Sequence, residues 1–239
     1  MTKSISVDAA IVVPWRAAEG REQSFDLAWR YNNKEFADFK VYFSDSVGER
    51  FNVSEARNRG CIQAIEDGYK TLVIIDADTI FTLDSVLKAV EEVNTKYVIS
   101  YTYTYAFETN QRISHLLDIG ATSLDELAKD SGISEGHVGS GWAMTSEMFW
   151  EINGWDENFH GWGWEDTAFQ KAYELLFSSE MSRAPGTCYR LWHPERDSSH
   201  LDSNRLRYEG LYNNPDNNVE AMRSVLRGNM VHRSVNEVG

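Results

Sequence analysis

Cysteine is scarce in this chain of 239 residues: Cys61 and Cys188 are the only two. Their separation fits neither a disulfide framework nor a zinc-ligand spacing, so a hydrophobic core must hold the fold and a reducing compartment is expected. Long hydrophobic runs are missing as well. Stretches such as Leu72–Ile75 fall far short of the roughly 20 residues that span a bilayer, and no charged-then-apolar leader follows Met1. The expectation is a protein with no membrane span, working in the cytoplasm. Basic residues are in the minority: 23 Lys and Arg against 37 Asp and Glu leave a net charge of −14. That balance argues against nucleic acid as a partner, because a phosphate backbone calls for a basic face. Any bound phosphate must be held by a few local arginines or by a metal. Repeats, low-complexity blocks and domain linkers are absent too. With 42% hydrophobic and 25% charged residues, the composition excludes wholesale disorder and a fibrous repeat.

Along the chain, strand and helix patterns alternate. Ile5–Val13 is apolar and β-branched enough for a buried strand, closed by Pro14-Trp15-Arg16 because proline donates nothing to a ladder. Glu22–Asn32 predicts a helix, and Lys40–Phe43 a second strand ending in Ser44-Asp45-Ser46. Asp45 therefore takes the same topological position as Arg16. Between Ser54 and Asp67 the spacing of Ala56, Gly60, Cys61, Ala64 and Ile65 is helical, with Arg57 and Asn58 in the first turn. Thr71–Ile75 is continuously apolar, as expected of a strand covered on both faces in a parallel sheet. Thr82 caps a helix whose Leu83, Val86, Leu87, Val90 and Val93 repeat at three and four, and Tyr97–Tyr105 alternates as a strand. This order predicts an α/β fold with a doubly wound sheet. Phe107–Glu135 interrupts it and reads as an insertion, with a capping box at Ser123 and Glu126. Beyond it, Gly139–Met144 and Thr187–Trp192 read as strands, and Ser146–Asn153, Asp166–Phe177 and Val219–Arg227 as helices.

Two clusters carry chemistry. Asp76 and Asp78 are two apart at a strand end, so extended geometry points both carboxylates at the crevice where open α/β sheets bind ligands. Hard oxygen ligands so placed suit Mg²⁺ or Mn²⁺, with a diphosphate completing the shell. Taken alone, an Asp-x-Asp can equally open a turn. The second cluster is Gly154–Asp166, where three of the eight tryptophans lie close together and Trp150 just precedes them. Trp162 and Trp164 offer flat apolar faces to sugar rings, glycines allow tight turns, and Glu165 and Asp166 can accept from sugar hydroxyls. The plainer alternative is core tryptophans followed by ordinary acidic residues in a first helical turn.

In combination these residues resemble the metal-dependent GT-A glycosyltransferases. The likeness is greatest to the galactosyltransferase family, whose C-terminal segment reads Gly-Trp-Asp-Glu-x-Phe, then Gly-Trp-Gly, then Glu-Asp. It runs from Val12 to about Asp197. The resemblance implies a single GT-A (Rossmann-like) domain with a mostly parallel central sheet flanked by helices, a Mn²⁺ or Mg²⁺ ion, and a UDP-sugar donor. It implies that Asp78 ligates the metal, that Asp76 faces the ribose with Ala77 beside it, and that His193 is a further metal ligand. Glu165 and Asp166 would hold the acceptor, with Asp166 as base, and Trp162, Gly163 and Trp164 would complete that side. Pro14, Arg16, Asp45 and Arg57 resemble positions that grip the nucleotide, arginine on diphosphate and aspartate on the uracil edge. One position departs: where the family has a methionine ligand three residues before the histidine, this chain has Arg190, which cannot ligate a cation. His200 is the reserve histidine.

The expected organisation is one domain over residues 1–239, with 1–105 as the nucleotide-sugar-binding half, 136–212 as the acceptor-binding and catalytic half, and 213–239 as C-terminal helix and tail. The expected reaction moves a hexose or N-acetylhexosamine from a UDP-sugar to a hydroxyl of a glycan, glycoconjugate or protein acceptor. Inversion is expected, with the helix N-terminus keeping Asp166 ionised. Polypeptide GalNAc-transferases, which retain configuration, share related motifs but usually carry Asn after the Glu. A non-catalytic carbohydrate-binding module is the rival from another class. A nucleotidyltransferase would need a glycine-rich basic loop after the first strand, and Pro14–Gly20 lacks that texture. Relatives in secretory compartments carry a membrane anchor, so a bacterial or phage-encoded cytosolic enzyme is the expectation.

Overall fold

The computed structural model describes residues 8–127, 133–135, 137–194, 198–214 and 216–230. The start of the first expected strand, Ile5–Val7, lies outside the described residues, as does the tail beyond residue 230. Strand β1 (Ala9–Pro14) is wholly buried, and β2 (Lys40–Ser44) and β3 (Thr71–Ile75) pair with it in parallel on either side. Helices α1 (Glu22–Glu35) and α2 (Val53–Glu66) make the two crossovers. Asn52 caps α2, its side chain accepting from the Glu55 N–H. Each fully buried Val, Ile or Leu stabilises by roughly 1.5–3 kcal/mol, so the apolar runs of β1 and β3 fix these strands as the centre.

After β3 come β4 (Thr79–Ile80), α3 (Leu83–Lys96), β5 (Ser100–Tyr101) and β6 (Tyr105–Glu108). Then follow α4 (Gln111–Asp118), α5 (Leu124–Leu127), β7 (Ile133–Glu135), β8 (Gly141–Thr145), α6 (Ser146–Ile152) and α7 (Glu165–Phe177). The chain continues through β9 (Ser182–Arg183), β10 (Thr187–Arg190), α8 (Leu201–Arg207), a π-helical turn (Tyr208–Tyr212) and α9 (Val219–Leu226). The main sheet has the order β2-β1-β3-β8-β5-β9, with β8 alone running against its neighbours. It is the mostly parallel, helix-flanked α/β sheet that the sequence predicted. No helix among the described residues is long and apolar enough to cross a membrane.

A second sheet, β4-β10-β6-β7, was not foreseen. Tyr97–Tyr105 does not form one strand, because its partners change midway. Thr102 N–H reaches the Gly141 carbonyl at the start of β8, whereas Thr104 and Tyr105 both donate to the Gly186 carbonyl before β10. The described part of the expected insertion packs on this sheet. Leu117 and Leu127 from α4 and α5 bury in one cluster with Phe107 and Tyr189 of the small sheet and with Leu191 just after β10. The capping box is formed: Ser123 N–H donates to Glu126 Oε2 at 3.0 Å, and Glu126 N–H to Ser123 Oγ at 3.3 Å. Cys61 and Cys188 are free and buried, and burial pushes both thiols well above their ordinary range.

Candidate active site

Parallel register brings the ends of β1, β2 and β3 to one edge. Pro14 pairs with Ser44 and Val12 with Ile74, so Arg16, Asp45 and Asp76 emerge together. Strand β8 runs the other way and delivers its beginning to the same edge: Ile75 pairs with Gly141, and Asp76 N–H donates to the Ser140 carbonyl at 2.8 Å. The bend before α7 closes the opposite wall. The cleft between them has a volume of ≈1480 Å³ and is lined by Pro14, Arg16, Arg57, Asp76, Ala77, Asp78, Trp162, Gly163, Trp164, Glu165 and Asp166.

The small sheet sets the first pair. Strand β10 lies antiparallel to β4, with Arg190 opposite Thr79, and Leu191 N–H bonds to the Asp78 carbonyl at 2.8 Å. Two residues further on, His193 meets Asp78, its Nε2 3.3 Å from Oδ2. His193 Nδ1 lies 2.7 Å from the Pro194 carbonyl, which can only accept, so Nδ1 donates there and Nε2 is turned toward Asp78. Arg21 supplies the positive charge here, its Nη2 lying 3.1 and 3.2 Å from the imidazole nitrogens. Among the described residues, no group of three or more His, Cys, Asp and Glu gathers as a metal cage.

Arg57 joins the two acidic couples. It is 2% exposed on α2, donates from Nη2 to Asp76 Oδ1 at 2.9 Å and from Nη1 to Asp166 Oδ1 at 2.6 Å, and has Glu165 Oε1 at 3.8 Å. Its guanidinium carbon stands 4.6 Å from the Trp142 ring centre and 5.5 Å from that of Trp155. A guanidinium removed from water persists only when carboxylates and ring faces replace its hydration, and both are present. The couple after β3 and the couple opening α7 therefore face each other across one cation.

Burial dominates both carboxyls at the start of α7. It pushes Glu165 up to about 8, with the neighbouring Asp166 charge adding to the shift, and it raises Asp166 although Arg57 pulls the other way. Loss of water thus outweighs the helix dipole that was expected to set their ionisation. The two share one buried region, and the proton belongs on Glu165. Asp166 keeps the charge because it holds the shorter bond to Arg57.

Arg16 and Asp45, expected to grip different parts of a nucleotide, hold each other. Arg16 Nε lies 2.8 and 2.9 Å from the two Asp45 oxygens, and Nη1 donates to the carbonyls of Gly48 and Glu49. With Nη2 on the Ser46 carbonyl, the guanidinium ties down the loop after β2. Arg190, at the position where the family has methionine, lines the cleft and pairs with Glu108. His200 also lines the cleft, its ring 5.9 Å from His160, whereas the histidine beside Asp78 is His193.

The tryptophans divide between core and cleft. Trp155 is fully buried and stacked on Phe169 at 4.1 Å, so core filling is its role. Trp164 adopts φ 76° at the entrance to α7 and stacks on Tyr208 at 5.1 Å. Trp162 remains 43% exposed in the cleft.

Sequence reasoning missed the residues that hold this bend. Asn204 of α8, itself buried, donates to the carbonyls of His160 at 2.8 Å and Gly163 at 3.1 Å and accepts from the His160 N–H at 3.3 Å. Asn58 clasps both backbone groups of Trp155 at 2.8 Å. Asp156 Oδ2 accepts from Arg207 Nε at 2.7 Å and from Tyr212 OH at 2.9 Å. Nothing local in the sequence marks Asn204, since its partners lie about forty positions away.

Residues 127–194 match the family model for the N-terminal domain of galactosyltransferase. That segment contains the Gly-Trp bend, Glu165, Asp166 and His193, whereas Asp76 and Asp78 lie outside it. No curated protein matches the chain. Among solved structures, the catalytic domain of Drosophila β1,4-galactosyltransferase 7 in complex with xylobiose is 17% identical with a TM-score of 0.49. A mutant of that enzyme in complex with manganese, UDP-Gal and xylobiose is 16% identical with the same TM-score of 0.49. Each comparison covers 74% of this chain and 63% of the other, so the chain spans under two thirds of those structures. GalNAc-T7 with UDP, GalNAc and Mn²⁺ is 11% identical, with a TM-score of 0.44 over 78% of this chain and 43% of that one.

Proposed function

We propose that this chain is a metal-dependent glycosyltransferase that moves a hexose or N-acetylhexosamine from a UDP-sugar to an acceptor hydroxyl, with inversion. One observation carries the reading: Asp78, backed by His193, and the Asp166 carboxylate lie on a single cleft. The galactosyltransferase match over residues 127–194 supports it.

The Asp78–His193 pair fits a divalent cation. The Pro194 carbonyl orients the imidazole as second-shell carbonyls orient metal-binding histidines, leaving Nε2 facing the Asp78 carboxylate at 3.3 Å. Asp78 and His193 would hold Mn²⁺ or Mg²⁺, whose chemistry is to neutralise charge on a departing diphosphate. Arg190 contributes no ligand and is paired with Glu108 on the same wall. Asp76 and Ala77 are assigned to the nucleotide side, with Pro14 and with the loop that Arg16 and Asp45 hold together.

On the acceptor side, Trp162 offers an apolar face to a sugar ring, with Gly163 and Trp164 shaping the bend. Glu165, holding a proton at neutral pH, donates to an acceptor oxygen and orients it. Ionised Asp166 takes the proton of the attacking hydroxyl as its oxygen bonds to the anomeric carbon, while the electrons of the cleaved C–O bond leave with UDP. The products are the glycoside, UDP and one proton.

The test is a panel of UDP- and GDP-sugars, with Mn²⁺ or with EDTA, scored for released nucleotide. UDP release that requires the metal supports the reading, and metal-independent turnover refutes the Asp78 assignment. NMR of the first-formed product reports the anomer, and retained configuration overturns Asp166 as base. Sugar binding that survives Asp78→Ala, with no nucleotide released from any donor, identifies a binding module instead.

A further inference from the structure

Arg57 stands where the two halves of the cleft meet, and its surroundings leave it little freedom. Nη1 is committed to Asp166 and Nη2 to Asp76. The rings of Trp142 and Trp155 lie within cation–π distance of the guanidinium. Nε is buried with no acceptor at all. A diphosphate needs an accessible donor edge, and this guanidinium, though it lines the cleft, is only 2% exposed with both Nη groups already on carboxylates. Its planar fork is what lets one cation serve two carboxylates at once, which the point charge of a lysine cannot reproduce.

The surroundings of the fork are themselves fixed. Asn58, next in sequence, holds the Trp155 backbone from both sides. Gly139 closes on the far side of the Asp166 carboxylate so tightly that a methyl group there would meet Oδ2 at 2.8 Å. Asp166 thus sits between a buried cation and a side-chain-free stretch of backbone. We infer that Arg57 is a positioning residue of the reaction, fixing the Asp166 carboxylate against the Asp76 end of the cleft, and is not a grip on the nucleotide diphosphate. The inference rests on the glycosyltransferase reading for its kinetic consequence, though the claim about diphosphate contact stands apart from it. Other charged or titratable groups around this cluster include Glu165, Arg190, Tyr101, Cys61 and Cys188, with His137 beside Gly139.

A base displaced by about 1 Å costs on the order of 10²-fold in rate. Arg57→Lys and Arg57→Gln in the full chain are therefore expected to lose about 10²-fold in kcat, with UDP affinity, measured by calorimetry with Mn²⁺, falling far less, because Arg57 reaches the nucleotide side only through Asp76. Arg57→Gln also moves the acid limb of the pH–rate profile upward, because the cation that stabilises the Asp166 charge is gone. Arg57→Lys restores the limb while kcat stays low, since charge is kept and the fork is lost. Weakened UDP binding with kcat intact makes Arg57 a nucleotide ligand and overturns the inference, as does a fall in Tm with unchanged kinetics. If neither variant folds, the wild-type chain decides: the guanidinium ¹⁵N resonances of Arg57 stay put when UDP and Mg²⁺ are added, whereas direct phosphate contact moves them. Absence of any nucleotide release by the wild type defeats the glycosyltransferase reading, and the resonance measurement still tests the contact claim.

Discussion

Replacing Gly139 with alanine probes Asp166 from the side opposite Arg57. The new Cβ would lie 2.8 Å from Asp166 Oδ2, so the carboxylate must give way by about 0.6 Å to regain ordinary van der Waals distance. It cannot retreat freely, because its other oxygen is held at 2.6 Å by Arg57. Gly139 also has φ 112°, where an L-side chain strains the backbone by about 1–3 kcal/mol. Two effects are thus expected: a Tm lowered by about 2–4 °C per kcal/mol of strain, and a kcat reduced by about 10- to 100-fold through the displaced carboxylate. Gly68→Ala separates them. Gly68 has φ 96° with nothing within 4 Å of the added Cβ, so it carries backbone strain without the collision. Thermal melts and steady-state kinetics on both variants form the assay. Gly68→Ala should lose stability and keep wild-type kcat; Gly139→Ala should lose both. A Gly139→Ala enzyme that melts like Gly68→Ala yet turns over like wild type refutes the claim that the position of Asp166 limits the rate.

The same site yields further expectations. Burial lifts Glu165 from its ordinary 4.5 to about 8, so the folded state keeps a proton that the unfolded chain releases. Stability should then decline as pH rises from about 4.5 to about 8 and level off above, and Glu165→Gln should flatten that decline in urea unfolding series; an unchanged slope removes the assignment. His193→Ala and Asp78→Asn should each weaken Mn²⁺ binding by calorimetry, and EDTA should abolish turnover; full Mn²⁺ affinity in both variants would place the cation elsewhere. Asn204→Ala deprives the His160–Gly163 backbone of several hydrogen bonds, each worth about 0.5–1.5 kcal/mol. It should raise the acceptor KM and leave the donor KM alone, and equal effects on both would show that the bend does not belong to the acceptor side.

Much of the fold could be read from periodicity. The buried runs of β1 and β3, the crossovers α1 and α2 and the three-and-four spacing of α3 each follow from neighbouring residues alone. The reading failed where hydrogen-bond partners change without a change in pattern. Tyr97–Tyr105 keeps its alternation while passing from one sheet to another, and the Phe107–Glu135 segment closes the small sheet through burial that its own residues do not announce. At the site, the Asp-x-Asp and the Gly-Trp bend were visible because they are contiguous. Asn204 and Asn58 were not, since a polar residue on a helix acquires meaning only from the distant backbone it meets.

Local sequence established which groups are present: a carboxylate pair closing a buried strand, an aromatic bend feeding a second acidic pair, and a late histidine. Tertiary structure decided what those groups are to one another. The β10–β4 pairing set His193 against Asp78, and a buried arginine bound Asp76 to Asp166. Loss of water raised both acids beginning α7 against the helix dipole, and the shorter bond to Arg57 left the charge on Asp166. Distance, desolvation and shared counter-charge exist only after the chain has closed on itself, because each depends on segments far apart in sequence.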